Sequence, residues 1–272
     1  MSRKSIFLAP GAVGPGAEVA ELVPEHRMLK TELHVHTNED PKDLLPYTTE
    51  ELIDRAAELG YQALAITLHD RQADVTRFRP YARERGITLI PGVERTIRGK
   101  HVLLLNFPDE AERVTSLDEV AELKRRWPGL VIAPHPFYPA PNCLGRMLER
   151  HAAVFDAVEL NYFYTAQTTF FNDAACRWAA RHGKPVVANS DVHRLVQLGP
   201  TYTLVDAEPD PHEICSAIRA GRVEIRTAPI SVAAAVAHFV EAGVAGIRGR
   251  LRPAARPIES PLSRHPAASR AR

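Results

Sequence analysis

Cysteine is scarce in this chain. Its three residues, Cys143, Cys176 and Cys215, are odd in number and lie far apart. They cannot form a disulfide framework, they include no Cys-x-x-Cys half of a zinc site, and they suit a reducing compartment. Charge of one sign is lacking too. With 34 basic and 33 acidic residues the formal net charge is +1, so no global field marks a nucleic-acid or membrane-surface protein. No stretch approaches the ~18 uninterrupted apolar residues of a membrane span. The basic start, Met1-Ser-Arg-Lys, leads into a short apolar run that Pro10 and Gly11 break, too short for the core of a signal peptide. These absences lead to the expectation of a cytoplasmic protein.

What is present is ordinary for a globular protein, with 45% hydrophobic and 25% charged residues. A chain of 272 residues suits one large domain, and α/β barrels of this length are routinely single domains. Residues 1–28 are rich in Gly and Pro without periodicity and read as an N-terminal arm. Residues 243–272 are rich in Arg, Pro and Ala, with Glu259 as their only acid, and are expected to be disordered. Between them, over 29–242, strand and helix patterns alternate about seven times, which argues for a parallel sheet. Strands are expected near 30–36, 63–68, 87–94, 101–107, 129–135, 155–160, 185–190 and 223–226. Thr48-Thr-Glu-Glu51 and Ser116-Leu-Asp-Glu119 match the capping box that opens a helix. Further helices are expected near 78–85 and 168–182, and another from Asp210 to Gly221 with Pro211 in the first turn.

Polar residues recur at one place in these units. His34 and His36 close the first strand and share a face, because residues two apart on a strand point the same way. His69 follows the second strand, Glu94 ends the third, His101 begins the fourth, His135 ends the fifth, and Asp191 and His193 follow the seventh. Asp40 joins from the first loop. Imidazoles and carboxylates at the buried ends of apolar strands are costly without partners. Their convergence on one barrel rim is explained most economically by divalent metal ions.

The ordered set His34-Val-His36, Ile66-Thr-Leu-His69, Pro91-Gly-Val-Glu94, the strand-starting His101, Pro134-His-Pro136 and Asp191-Val-His193 resembles the PHP (polymerase and histidinol phosphatase) family over about residues 30–226. The resemblance implies an α/β fold, a distorted (β/α)7 barrel with a metal cluster at the C-terminal ends of its strands. It implies one ion held by His34, His36, Glu94 and Asp191. A second would share Glu94 and add His101 and His135, and a third would take Asp40, His69 and His193. Two departures stand out. Leu68 replaces the family's Asp before the second-motif histidine, so support for His69 is sought from Asp70. The acid after His-x-His falls in Glu39-Asp40-Pro41, one residue tighter than the family's Ser-Asp-Gly turn, with Asp40 preferred over Glu39 as the ligand.

The activity implied is metal-dependent phosphoester hydrolysis. Glu94, Asp191 and His193 would act through water activated by two or three ions of zinc, manganese or iron. The expected substrate is a small phosphomonoester or a nucleotide or oligonucleotide end. Arg95 and Arg194, each following a ligand, are candidate substrate contacts. Alternatives are a histidinol-phosphatase-like enzyme and a non-catalytic scaffold or RNA-binding subunit, against which the retention of all the ligands argues. A hydrolase of C–N or C–O bonds would share the barrel and the His-x-His, but no strand end carries the lysine such sites usually need. No obligate protein partner is evident.

Overall fold

The computed structural model describes residues 28–238. The expected tail at 243–272 and nearly all of the expected arm lie outside them, and Met28 already belongs to the first strand. In chain order the elements are β1 (Met28–Val35), α1 (Thr49–Glu58), β2 (Ala63–His69), α2 (Arg79–Glu84), β3 (Thr88–Ile97), β4 (Lys100–Leu105), α3 (Leu117–Arg126), β5 (Leu130–Ala133), α4 (Arg146–Arg150), β6 (Ala157–Asn161), α5 (Phe170–His182), β7 (Val186–Asn189), β8 (Tyr202–Asp206), α6 (Pro211–Arg219) and β9 (Val223–Arg226). No helix among the described residues is long and apolar enough to cross a membrane.

The helices begin where local chemistry starts them. Glu51 N–H donates to Thr48 Oγ1 at 3.2 Å and Thr48 N–H to Glu51 Oε2 at 2.8 Å, a complete capping box on α1. The box on α3 is half formed. Ser116 Oγ accepts from Glu119 N–H, but the Glu119 carboxylate reaches one residue further back, to Thr115 N–H at 2.6 Å. Asp210 caps α6 through His212 and Glu213, with Pro211 in the first turn.

The nine strands form one sheet in the order β7-β6-β5-β4-β3-β2-β1-β8-β9, curled into a nearly closed barrel. Strands β2, β5 and β6 are buried along their whole length, as near-continuous apolar runs predict. The sheet is not parallel throughout. β4 runs antiparallel to both β3 and β5, because the Arg98–Gly99 turn joins β3 to β4 as a hairpin, far too short for a crossover. β8 and β9 add a second antiparallel pair beside β1. Two contacts contribute most visibly to closure. Thr203 of β8 binds both the N–H and the C=O of Ala188 on β7. Val35 at the end of β1 bridges Val192, just past β7, with His36 N–H to Val192 O at 3.1 Å and Val192 N–H to His34 O at 3.0 Å.

Inward-facing residues run from apolar to polar along each strand. β2 presents Ala63, Ala65, Thr67 and His69; β3 presents Ile90, Gly92 and Glu94; β6 presents Ala157 and Glu159. The lower positions join Leu29, Leu33, Leu103, Leu105 and Leu130 in a packed interior that α6 covers, while the polar ends gather at the opposite rim. Gly92 lies directly under Glu94, where a Cβ would come within 2.8 Å of Leu105 Cδ2 and 2.9 Å of Thr67 Cγ2. Gly92→Ala is therefore expected to destabilise the protein by about 1–3 kcal/mol, as overpacking does. Urea unfolding checks this, and an unchanged midpoint would mean that the barrel interior is looser than these contacts imply.

Candidate metal centre

A fault in strand pairing aims the first two histidines. The register of β1 against β2 shifts between Glu32 and Val35, so Leu33 and His34 together oppose a single residue. Without this bulge, Val35 would continue the inward series of Leu29, Thr31 and Leu33. With it, Val35 packs outward with Leu64 and Ile66, and His34 and His36 turn inward. Two further rim residues depend on unusual backbone. His135 has φ 31° and Asp191 φ 48°, a region that costs non-glycine residues on the order of 1–3 kcal/mol.

Glu94, almost fully buried, stands at the centre. Its Oε1 lies 2.6 Å from His101 Nδ1, 3.3 Å from His135 Nε2 and 3.4 Å from His34 Nε2. Its Oε2 lies 3.1 Å from His69 Nε2 and 3.5 Å from His36 Nε2. Asp191 Oδ1 approaches His34 Nε2 at 3.3 Å, His36 Nε2 at 3.5 Å and His193 Nδ1 at 3.4 Å. The two oxygens of Glu94 thus face different imidazoles, the arrangement a bridging carboxylate requires.

Further carboxylates fix the rings from behind. His34 Nδ1–H donates to Glu159 at 2.9 Å, and His36 Nδ1–H donates to Asp40 at 2.9 Å. In each ring this leaves the Nε2 lone pair pointing at Asp191 and Glu94. His34 Nε2, His36 Nε2 and Asp191 Oδ1 are all buried and have no hydrogen-bond partner. Each such orphan costs about 1–3 kcal/mol, and lone pairs facing one another at this range call for a cation between them. The donor set of imidazole and carboxylate fits a borderline divalent metal.

Sets of three whose donor atoms converge are His34, His36 and Asp191; His34, Glu94 and His135; His36, His69 and Glu94; and Asp40, Asp43 and His69. His101 reaches the cluster through Glu94, and His193 through Asp191 and Asp43. All nine expected ligands therefore gather at one rim, but the grouping differs from the expected one. His69 converges with His36 and Glu94 as well as with Asp40. Asp40 Oδ2 is held by His36 Nδ1, by His69 Nδ1 at 3.0 Å and by His69 N–H at 2.8 Å, which makes it the support that Asp70 was expected to give. Asp70 turns away instead, to Lys42, Arg95 and Thr96.

Sequence reasoning missed Asp43. Its Oδ2 lies 3.1 Å from His193 Nε2 and 3.4 Å from His69 Nδ1. The signal was available as the third acid of Glu39-Asp-Pro-Lys-Asp43, but spacing alone favoured the nearer Asp40. Glu39 points outward and pairs with Arg77. Arg95 is not free to meet a substrate. It follows Glu94 on β3 and so faces the other side, bound to Asp70 at 2.6 Å and to Val114 O at 2.7 Å. Arg194 is exposed one residue beyond His193.

Burial opposes charge on every one of these groups, and their mutual pairing outweighs it. Asp191, Glu159 and Glu94 hold His34 well above the usual histidine pKa, and Cys143 and Glu94 do the same for His135. His193 is raised to about 9, chiefly by Asp191 and Asp43 against its burial. Glu94 and Asp191 are held well below the carboxylate range, by His34 first in each case. Glu32, buried under Ser190 N–H, goes the other way, to about 8, because burial dominates.

A histidine whose folded pKa exceeds its unfolded value of ~6.5 adds stability that is complete below that value and lost as pH rises through the folded pKa. Metal-stripped protein is therefore expected to lose stability between pH ~6.5 and about 9, the value to which His193 is raised. Urea midpoints in chelator at pH 6, 7.5 and 9 test this, and a flat profile would contradict the pairing described.

The sequence matches a family model described as PHP domain over residues 32–141 and one described as PHP-associated over residues 170–223. Among curated proteins, a DNA polymerase III PolC-type from Streptococcus pyogenes is 42% identical over 80 residues, which are 29% of this chain and 5% of the polymerase. The chain thus spans only a small part of the curated relatives it matches. Among solved structures, PsfC from Pseudomonas syringae PB-5123 aligns with a TM-score of 0.50 at 14% identity, covering 82% of this chain and 98% of PsfC. The lesion-specific endonuclease PfuEndoQ from Pyrococcus furiosus aligns with a TM-score of 0.51 at 17% identity, covering 78% of this chain and 66% of that one. At these identities the likeness is one of fold.

Proposed function

Since the chain belongs to the PHP family, we propose that it is a metal-dependent phosphoesterase acting on a small phosphomonoester or on a nucleotide or oligonucleotide end. The observation that carries this reading is the convergence of three partnerless buried atoms, His34 Nε2, His36 Nε2 and Asp191 Oδ1, on one point. In this proposal those residues hold one ion. Glu94, His101 and His135 would hold a second, and His69, His193 and Asp43 a third, with Asp40 as a positioning residue. Zinc, manganese and iron all suit these donors. Such ions, when bound, lower the pKa of water towards neutrality and offset the negative charge of a phosphate under attack.

The chain's own groups prepare the site for that chemistry. Glu159 and Asp40 hold His34 and His36 in the tautomer that offers Nε2 inward. Glu94 and Asp191 stay ionised across the working pH range because the surrounding imidazoles favour their charge. The barrel floor excludes bulk water from one side of Glu94, while the partly exposed His193 and Asp43 mark the open side from which a phosphate enters. Arg194 stands at that entrance and is the remaining candidate for a substrate oxygen. The retained ligand set disfavours a purely structural barrel.

Purified protein is expected to carry two or three divalent ions per chain and to hydrolyse phosphoesters, with His34→Ala and Glu94→Ala losing both properties. Glu159→Gln should weaken metal affinity by about 10–100-fold while leaving the fold intact, the usual cost of losing the carboxylate behind a ligating histidine. Elemental analysis with a phosphatase panel checks these outcomes. Less than one ion per chain, or no turnover with manganese, zinc or iron supplied, would overturn the assignment.

A further inference from the structure

Next to the metal centre lies a cleft of about 550 Å³ lined by Arg98, Lys100, Arg146, Arg150 and His151, with no acidic residue in its lining. Some arginines elsewhere are answered by carboxylates, as Glu58 pairs with Arg55, Asp54 with Arg85, Asp70 with Arg95 and Glu110 with Arg126; what sets this cleft apart is several cations gathered in one concavity without an acid. Arg98, Arg146 and Arg150 form no ion pair among the described residues. Arg146 and Arg150 stand one turn apart on α4 and share a face. Arg98 occupies the β3–β4 turn at φ 50°, a position that favours asparagine or glycine, so a long cation is kept there at a conformational cost.

The cleft borders the site and shares a wall with it. Cys143 in its lining sits 3.3 Å from His135 Nδ1, Pro136 follows His135 directly, and Lys100 precedes His101. Lys100 Nζ donates to Pro141 O at 2.7 Å, pinning the loop between cleft and cluster. Two aromatic rings complete the wall. Phe137 and Tyr138 are half-buried, and Tyr138 is fixed by its hydroxyl to Phe163 O at 2.9 Å and by packing against Phe171.

One phosphate at the metal centre leaves these cations unanswered; they suit a ligand with more phosphates spaced along a chain. Basic side chains beside fixed aromatic faces are the combination that binds single strands, whose unstacked bases can lie on the rings. A duplex keeps its bases inside and cannot use the rings. We propose that the cleft binds the sugar–phosphate backbone of a single-stranded nucleic acid, with Arg98, Lys100, Arg146 and Arg150 on successive phosphates and a base against Phe137 and Tyr138. The inference rests on the phosphoesterase reading for what becomes of the strand, but the binding itself does not require turnover.

Fluorescence anisotropy of the full chain with a labelled single strand of about 12 nucleotides, in EDTA so that cleavage is silent, tests it. Saturable binding at low salt is expected. Substituting Arg98, Arg146 and Arg150 together by alanine should weaken it on the order of 30-fold and reduce the salt slope by about two. Removing two remote arginines, Arg83→Ala with Arg177→Ala, should leave it unchanged. Arg98→Gly separates contact from folding, since glycine suits the turn: thermal stability should hold or rise while affinity falls several-fold. Equal affinity of the triple variant and wild type, or equal affinity for a duplex of the same sequence, would overturn the proposal. Hydrolysis of p-nitrophenyl phosphate with manganese is measured separately. Its absence alongside cleft-dependent binding would sink the phosphoesterase reading alone, and its presence with cleft-independent binding would sink the cleft alone.

Discussion

The pairing of Val35 with Val192 is the contact on which the rest of the site depends. Two backbone hydrogen bonds join the end of β1 to the chain just beyond β7, and both valines are fully buried on the outer side of the barrel. Because alternate residues of an extended chain face opposite ways, fixing both valines outward turns their flanking residues inward together. His34, His36, Asp191 and His193, from opposite ends of the barrel sequence, thereby meet within a few ångströms. The same bridge closes the rim where the sheet would otherwise gape, so the event that completes the barrel also assembles the site.

That arrangement works only because the charges balance. Glu94, Asp191, Glu159 and Asp40 are surrounded by imidazoles, and each group's ionised state is sustained by its neighbours against burial. Removing one member would leave its partners as uncompensated buried charges, which is more costly than the loss of one contact. Glu32 shows the alternative available to a buried carboxyl. Burial, with the charge of Glu159 behind it, raises its pKa to about 8, so it carries its proton near neutrality, and it closes the β1–β7 seam by accepting Ser190 N–H.

The barrel and the residues of its polar rim were legible in the sequence because both rest on period-two patterning and on polar groups at the ends of apolar strands. The local exceptions that aim the groups were not legible. Uninterrupted alternation would set Leu33 and Val35 on one face and His34 and His36 on the other. Only the bulge, a tertiary compromise between β1 and β2, lets Leu33 fill the core while the histidines face the same interior. His135 is turned by its positive φ between two prolines, which residue type does not announce. Asp43 and Asp40 were ranked by spacing, but spacing does not say which acid a loop folds over the rings and which it folds behind them. Arg95 shows the converse: adjacency to Glu94 in the chain places it on the far side of the sheet, and Asp70, not a substrate, is its partner.

The inverted strand links the metal centre to the cleft beside it. Had β4 run parallel to β3, its first residue would lie at the barrel floor and His101 could not approach Glu94. Reversal by a two-residue turn brings the start of β4 to the rim, so His101 pairs with Thr96 and its ring meets Glu94 at 2.6 Å. The turn that makes this possible must itself project from that rim. Whatever occupies it stands over the neighbouring surface, and in this chain the occupant is Arg98, in a backbone conformation that costs an L-residue on the order of 1 kcal/mol. A polar asparagine would satisfy the turn without that cost. An arginine there, facing Arg146 and Arg150 across a cleft without carboxylates, is better explained by a polyanion that approaches the cluster from this side than by the needs of the fold. The same reversal that completes the ligand set thus sets the direction from which a strand would reach it.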